Sequence, residues 1–100
     1  MAVFHIVLFK LKPGVTPAQV EEFKKACKAM VGQVPGLREI HTNAPLAMTA
    51  ARAKGYDMAL LAILEKPEDI SVYAVHPSHL VVQNLREELC DDALAYDLEF

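Results

Sequence analysis

The stretch Ala2-Val3-Phe4-His5-Ile6-Val7-Leu8-Phe9-Lys10-Leu11-Lys12 is rich in β-branched and aromatic residues, and it decides the fold. Such residues favour extended backbone, so residues 2–12 are predicted to form a strand. Successive side chains of a strand point to opposite faces of the sheet. One face then carries Val3, His5, Val7, Phe9 and Leu11, and the other carries Phe4, Ile6 and Leu8. Both faces are apolar, so this strand needs cover on both sides.

A helix is predicted to begin at Pro17. Thr16 can cap this helix, Pro17 suits the first helical position, and Gln19 completes a capping box. Apolar residues then recur at helical spacing opposite a charged face, and they are Val20, Phe23, Cys27, Met30, Val31 and Val34. Pro35-Gly36 ends the helix, and its apolar face, with Cys27, is predicted to lie against the sheet.

The remaining segments alternate between strands and helices. Three further strands are predicted, over residues 37–43, 56–65 and 93–100. Two further helices are predicted, over residues 67–75 and 77–90. The alanine-rich residues 45–55 predict a short helical excursion that acts as a mobile cover. The order β-α-β-β-α-β indicates one α+β domain over residues 1–100, with a ferredoxin-like sheet and its helices on one face.

The sheet face opposite the helices has no cover within a single chain. It would expose Phe4, Ile6 and Leu8 together with apolar residues of the other strands, and a patch of that size marks an interface. Two such sheets can pack face to face about a two-fold axis. Because burial of each large apolar side chain contributes about 1.5–3 kcal/mol, an obligate homodimer is expected.

Composition excludes several classes of function. The 100-residue chain has a formal net charge of −3 and scattered basic residues, so nucleic acid is not an expected partner. Cys27 and Cys90 are far apart and show no CxxC spacing, which is typical of reduced thiols in a cytoplasmic protein. No basic leader precedes a long apolar run, so neither a signal peptide nor a membrane span is expected.

The segment Tyr73-Ala74-Val75-His76-Pro77-Ser78-His79 concentrates groups that transfer protons. Pro77 suits the first position of a helix and disfavours helical backbone at His76. His76 is therefore predicted at a corner and His79 on the first helical turn. The side chain of histidine titrates at a pH of about 6.5, so either residue can take and return a proton near neutral pH. The segment predicts acid–base chemistry, with the alternative that His76 caps the helix and His79 is partly solvated.

Five short segments, in order along the chain, resemble the stress-responsive dimeric α/β-barrel family. They are Phe4-His5-Ile6-Val7-Leu8-Phe9-Lys10, Val34-Pro35-Gly36-Leu37, Gly55-Tyr56-Asp57, Tyr73-x-x-His76-Pro77-x-His79 and Tyr96-Asp97. The resemblance spans essentially the whole chain and implies a homodimeric α/β barrel with a small-molecule pocket in each subunit. One branch of the family resembles plant polyketide cyclases, which implies ring closure without a metal or an organic cofactor.

The cyclase branch implies roles for three residues of this chain. Its base matches His79, the tyrosine partner of that base matches Tyr73, and a histidine on its first strand matches His5. A second tyrosine of that branch falls on Cys27, so a thiol replaces a phenol in the wall of the pocket.

The residues themselves favour the same pocket, because His5 shares a strand face with Val7 while Cys27 points inward from the helix. We predict a small enzyme acting on a hydrophobic, carbonyl-containing metabolite such as a polyketide or terpenoid intermediate. His79 would remove a proton α to a carbonyl, Tyr73 would hold His79 or donate to the enolate oxygen, and His5 would orient the substrate. The predicted substrate-binding residues are Val7, Phe23, Cys27, Met30, His76 and Leu80.

Two other functions stay open at this point. One is a non-catalytic dimer that binds a small apolar ligand or accumulates under stress, and a weaker one is a monooxygenase-like dimeric barrel. A metal site made by His5, His76 and His79 would lack a carboxylate at a fixed helical spacing, so neither a metal nor another cofactor is expected. His41 is predicted to lie at the surface or at an interface.

Overall fold

Four strands and three α-helices form the protein in the computed structural model, which describes residues 1–100. The strands are β1 (Val3–Leu11), β2 (Leu37–Asn43), β3 (Met58–Leu64) and β4 (Cys90–Glu99). The helices are α1 (Pro17–Ala29), α2 (Asp69–Val75) and α3 (Pro77–Leu89), and a 3₁₀ helix spans Ala47–Ala53. The strands form one antiparallel sheet in the order β2-β3-β1-β4. This is the predicted ferredoxin-like α+β fold.

The two most apolar strands, β1 and β3, occupy the centre of the sheet. In β1, His5 pairs with Ala62 of β3 on one side and with Asp97 of β4 on the other. The neighbouring residue Ile6 points to the opposite face. The edge strands β2 and β4 carry more charged residues, which suits an edge because charges discourage pairing with another sheet.

The core lies between one face of the sheet and the three helices. It contains fifteen buried residues, namely Val3, Val7, Phe9, Phe23, Cys27, Met30, Val34, Leu37, Met58, Leu60, Ala62, Leu64, Tyr73, Val82 and Leu89. The capping box predicted for α1 is present, with the Gln19 amide donating to Thr16 Oγ1 and the Thr16 amide donating to Gln19 Oε1. It fixes the start of the helix that delivers Phe23 and Cys27 to the core.

Several boundaries differ from the sequence prediction. Helix α1 ends at Ala29 instead of continuing to Pro35-Gly36, because the chain turns after Met30, where Gly32 has a φ of +91°. Val31 is therefore exposed instead of facing the sheet.

The strand predicted over 56–65 begins at Met58. The helix predicted from residue 67 begins at Asp69, because Pro67 and Glu68 lie in a turn closed by the hydrogen bond from the Asp69 amide to the Lys66 carbonyl. β4 begins at Cys90 instead of residue 93 and follows α3 directly. Its first residues, Cys90-Asp91-Asp92, are poor strand formers, and a register shift between Lys10 and Leu11 accommodates them.

The 3₁₀ helix Ala47–Ala53 does not act as the predicted cover. None of its residues is buried, and the flanking Leu46 and internal Met48 are exposed. It lies outside the lining of the cavity described below. The segment closes with Lys54 and Gly55, both with positive φ, which turns the chain into β3.

Gly36 and Asp69 form a tight junction between β2 and α2. The Asp69 carboxylate is buried and accepts a hydrogen bond from the Lys66 amide at 3.2 Å. A Cβ atom placed on Gly36 would overlap that carboxylate, and the φ of Gly36 is +82°. Glycine is therefore required at position 36 for two reasons, the lack of space for a Cβ atom and the positive φ.

The sheet face opposite the helices is apolar and uncovered within the chain. Its central row joins Leu61, Ile6 and Tyr96, and the Tyr96 side chain is 62% exposed. Phe4 and Phe100 stack on the same face, with ring centroids 3.9 Å apart. No helix of the protein combines the length and apolarity needed to cross a bilayer.

Candidate active site

A cavity of about 230 Å³ opens between the helix-covered face of the sheet and the corner that joins α2 to α3. It is lined by ten residues, namely His5, Val7, Phe9, Leu60, Tyr73, His79, Val82, Gln83, Arg86 and Ala95. The structure thus brings His5, Tyr73 and His79, which are separated by up to 74 positions along the chain, to one cavity.

The corner between α2 and α3 sets the position of His79. His76 has extended backbone, with φ −67° and ψ 138°, and its Nδ1 accepts a hydrogen bond from the Ser78 amide at 3.1 Å. It is the N-cap of α3, and Pro77 occupies the first helical position, as predicted. His79 therefore lies in the first turn, where its side chain can point back over α2.

His79 is held in one orientation by the backbone of α2. Its Nδ1 lies 3.0 Å from the carbonyl oxygen of Ala74. Since a carbonyl oxygen only accepts hydrogen bonds, Nδ1 carries the hydrogen and Nε2 keeps its lone pair in the neutral ring. Burial lowers the pKa of His79 below its ordinary value, and the nearby His5 and Arg86 lower it further, against an opposing effect of the Ala74 carbonyl. The neutral, proton-accepting form is favoured at neutral pH.

His5 has a carboxylate partner. Its Nδ1 lies 2.5 Å from Oδ1 of Asp97, directly across the pairing of β1 and β4. The carboxylate can only accept, so Nδ1–H of His5 donates to it and the Nε2 atom is left for the cavity. The side chain of His5 is 14% exposed. The sequence indicated His5 as a site residue. It did not indicate the hydrogen bond from His5 to Asp97, because that contact depends on the pairing register of β4.

Tyr73 lies between the two imidazoles. Its ring centroid is 5.1 Å from that of His5 and 4.5 Å from that of His79. Burial raises the pKa of the Tyr73 phenol well above its usual range, with further contributions from Cys27 and Asp97. The side chain is buried and lines the cavity, so the hydroxyl stays protonated and serves as a donor there.

Two polar lining residues were not among the predicted site residues. Gln83 and Arg86 follow His79 by four and seven positions on α3, so the three lie on one face of the helix. The spacing i, i+4, i+7 from His79 was visible in the sequence and could have identified them. Phe9, Leu60, Val82 and Ala95 complete the lining as apolar walls.

Of the predicted substrate-binding residues, Val7 lines the cavity and the other five do not. Phe23 packs edge-on against Phe9, which separates it from the cavity, while Cys27 and Met30 are fully buried in the core. Leu80 follows His79 and is rotated toward solvent, with 45% of its surface exposed. His76 is engaged as the cap of α3.

The remaining candidate groups lie away from this cavity. Burial raises the pKa of the Cys27 thiol to about 12, so it is not a reactive thiolate. His41 lies on the uncovered sheet face and bonds Glu39 through Nε2 at 2.8 Å. No three histidine, cysteine, aspartate or glutamate side chains converge as a set that could hold a metal ion.

A larger depression of about 750 Å³ lies between α1 and β2. It is open to solvent, and exposed lysines and glutamates of α1 form much of its lining. Charged, hydrated walls do not exclude water from a reacting substrate. The smaller cavity, with its convergent polar groups, is the candidate active site.

Comparison with known proteins agrees with this fold. Olivetolic acid cyclase of Cannabis sativa is 27% identical over 97 residues, covering 97% of this chain and 95% of the cyclase. A dimeric ferredoxin-like protein of unknown function from Thermobifida fusca YX is 28% identical, with a TM-score of 0.85 over 100% of this chain and 92% of that one. A second dimeric protein of unknown function, from Bacteroides fragilis, is 26% identical, with a TM-score of 0.81 over 99% and 96%.

The profile of the Stress Responsive A/B Barrel Domain matches residues 3–100, nearly the whole chain. Its match covers all four strands and all three helices. The chain belongs to the stress-responsive A/B barrel domain family.

Proposed function

We propose that the protein is a cofactor-independent enzyme that performs lyase- or cyclase-type acid–base chemistry on a small, hydrophobic carbonyl compound, such as a polyketide or terpenoid intermediate. The observation that carries this proposal is the oriented lone pair of His79 Nε2 in a cavity that also contains the Tyr73 phenol. A base and a hydrogen-bond donor on one small cavity are the minimum for enolate chemistry.

In the proposed step, Nε2 of His79 removes a proton from the carbon next to the substrate carbonyl. The electron pair of the broken C–H bond forms a carbon–carbon double bond, and negative charge develops on the carbonyl oxygen. The enolate can then attack a second carbonyl, expel a leaving group or take the proton back from His79. The lowered pKa of His79 supports this role, because the residue is neutral and ready to accept a proton at pH 7.

Tyr73 can stabilise the developing oxyanion. The Tyr73 hydroxyl remains protonated because the pKa of its phenol is raised, so it can donate a hydrogen bond to the enolate oxygen. His5, whose Nδ1–H donates to Asp97, has Nε2 as an acceptor with which it can orient the substrate. The apolar walls Val7, Phe9 and Leu60 exclude water and strengthen these interactions.

The relationship to olivetolic acid cyclase, at 27% identity over nearly the whole chain, supports a cyclase- or lyase-type reaction. The resemblance of His5, Tyr73 and His79 to the acid–base groups of the cyclase branch, expected from the sequence, supports the same roles. The proposal needs no metal ion and no organic cofactor, because proton transfer between these side chains and the substrate completes the chemistry.

Exchange of α-protons for deuterium tests the proposal without knowledge of the natural substrate. A set of small ketones, β-diketones and β-keto thioesters is incubated with the protein in D₂O, and exchange is followed by NMR. Catalysed exchange with at least one compound is the expected result, with Arg52→Ala, at an exposed position on the 3₁₀ helix, as the control. If some compounds bind in the cavity but none of the set exchanges its α-protons, the result would contradict catalysis and favour a ligand-binding protein.

The assembly is proposed to be a homodimer joined through the uncovered sheet face. The row of Leu61, Ile6 and Tyr96 supports this, as does the description of the Thermobifida fusca relative as dimeric. Burial of each such side chain contributes about 1.5–3 kcal/mol, so a few per subunit suffice for a stable dimer.

Sedimentation at low micromolar concentration should give twice the chain mass. Tyr96→Glu should lower that mass, because Tyr96 is already exposed in the single chain and its substitution costs folding little. Val75→Glu, an equally exposed position on α2, is the matched control. A folded wild-type monomer, or a Tyr96→Glu dimer as stable as the wild type, would contradict the interface.

A further inference from the structure

One end of the cavity carries a cation that the proposed chemistry does not use. Arg86 is the only lysine or arginine in the lining, and no aspartate or glutamate is among the ten lining residues. Gln83 lies one turn before it on α3 and also lines the cavity. Gln83 Nε2 donates to Glu87 Oε1 at 3.4 Å, the same oxygen that lies 3.8 Å from Arg86 Nη2, so a bound carboxylate would take the place of the Glu87 side chain. Arg86 and Gln83 form the polar part of the lining that follows His79 on α3.

Building on the proposed function, we infer that the substrate is a short keto acid whose carboxylate is bound by Arg86 and Gln83 while its carbonyl faces Tyr73 and His79. The structure leaves the Arg86 guanidinium with donors to offer. Its one acidic neighbour within salt-bridge range is Glu87, at 3.8 Å between Nη2 and Oε1, and that glutamate is 61% exposed. A guanidinium has five N–H donors in a planar fork that matches a carboxylate.

The spacing along α3 sets the length of the substrate. His79 and Arg86 are seven residues apart, which corresponds to about 10 Å along a helix axis. Both side chains line the same cavity, and a molecule of a few carbon atoms with a hydrogen bond at each end can span a separation of that order. The field of Arg86 contributes to the lowered pKa of His79, which agrees with a short separation between the two groups.

The volume of the cavity also favours a short molecule. Pockets for drug-sized ligands usually enclose about 300–1,000 Å³, whereas this one encloses about 230 Å³. The apolar residues Val7, Phe9, Leu60 and Val82 line the same cavity. A molecule with a carboxylate at one end, a carbonyl at the other and a few methylene groups between them suits a lining that combines these apolar side chains with Arg86, Tyr73 and His79.

A purely structural role for Arg86 is the competing explanation. Arg86 lies in the last turn of α3, where a cation is favoured by the helix dipole, and it also borders a second depression lined by Glu87, Asp91 and Asp92. A structural cation would change the stability of the protein when replaced, but it would not make ligand affinity depend on ligand charge. The two explanations therefore differ in a measurable way.

The test compares 4-oxopentanoate with its methyl ester, which keeps the carbonyl and removes the charge. Both are titrated into ¹⁵N-labelled protein, and the amide shifts of Leu60 and Ala95 are followed. In the wild type, the acid should bind about 10- to 100-fold more tightly than the ester, the span expected for hydrogen bonds to a charged group. Arg86→Met should abolish this preference, Arg86→Lys should keep part of it, and Arg52→Met, an exposed control on the 3₁₀ helix, should leave it unchanged.

Three outcomes would overturn the inference. They are equal affinity for acid and ester in the wild type, failure of the acid to bind, and a preference for the acid that survives in Arg86→Met. His79→Ala separates this inference from the proposed function, because charge preference should persist in that variant. If no carbonyl compound exchanges its α-protons while Arg86-dependent binding of the acid is present, the enzyme proposal fails and the anion site stands.

Discussion

His5 and Asp97 face each other across neighbouring strands, and Nδ1 of His5 lies 2.5 Å from Oδ1 of Asp97. The contact joins the first strand of the chain to the last. It orients an imidazole at the floor of the cavity. Tyr73 covers the same imidazole edge-on, with centroids 5.1 Å apart. The site therefore depends on the closing strand β4 as much as on the histidine-containing corner.

Replacement of Asp97 by alanine should reduce the proposed α-proton exchange by about 10- to 100-fold, the span typical of groups that orient a functional histidine. The His5 ring would lose its fixed tautomer, and ¹⁵N shifts of the ring nitrogens should report a mixture of both tautomers. Asp91→Ala, at an exposed position of the same strand, is the matched control. An unchanged ring spectrum in Asp97→Ala would show that the carboxylate does not orient His5.

Replacement of Tyr73 by phenylalanine should separate activity from stability. The aromatic ring, which packs between His5 and His79, is retained, while the donor to the enolate oxygen is lost. We expect exchange to fall by about 10²–10⁴-fold, the span of general acid–base groups. The urea midpoint should change little, because the packing volume is nearly conserved. A fully active Tyr73→Phe protein would remove the phenol from the mechanism.

Acid should destabilise the protein partly through His79. The pKa of His79 is lowered in the folded protein from its ordinary value of 6.5, so the unfolded chain binds a proton more readily. The stability contributed by neutral His79 is present above pH 6.5 and is lost as the pH falls through the folded-state pKa. The free energy of unfolding, measured with urea at decreasing pH, should fall more steeply for the wild type than for His79→Gln. Parallel stability profiles of the two proteins below that pH would contradict the shift.

Two glycines with similar backbone offer a matched test of the junction between β2 and α2. Gly32 and Gly36 have φ of +91° and +82°, but only a Cβ on Gly36 would meet the buried Asp69 carboxylate. Gly32→Ala should cost roughly 1 kcal/mol of unfolding free energy for the backbone alone. Gly36→Ala should cost about 1–3 kcal/mol more, through displacement of Asp69. Equal losses of stability in Gly32→Ala and Gly36→Ala, measured by thermal unfolding, would mean that Asp69 moves away at no cost in free energy.

The pattern of apolar residues and helix caps along the chain predicted the fold well, and particular residues show why. Two-faced apolar strands such as residues 3–11 have few alternatives to the centre of a sheet, and Thr16, Pro17 and Gln19 mark a helix start by local hydrogen bonding alone. The start of β4 was missed, because Asp91 and Asp92 disfavour a strand locally. Asp92 is held by pairing with Lys10 of β1, and Asp91 lies at the register shift.

The candidate site was predicted less completely than the fold. His5, Tyr73 and His79 were expected near one another, and the structure brings them to one cavity. The wall residues Phe23, Cys27 and Met30 were expected to line it, but helical periodicity identifies only the buried face of α1. It does not say that Phe9 lies between Phe23 and the cavity. Asp97 required the strand register, which no local pattern provides, whereas the helical spacing from His79 could have identified Arg86.

The rate of α-proton exchange in His79→Ala tests the central claim most directly. With the carbonyl compound that exchanges fastest in the wild type, we predict a loss of about 10²–10⁴-fold in His79→Ala, with its circular dichroism unchanged. His76→Ala, which removes the cap of α3, should act mainly on thermal stability, and Arg52→Ala, at an exposed position on the 3₁₀ helix, should match the wild type. A folded His79→Ala protein that exchanges the same protons at nearly the wild-type rate would contradict the account.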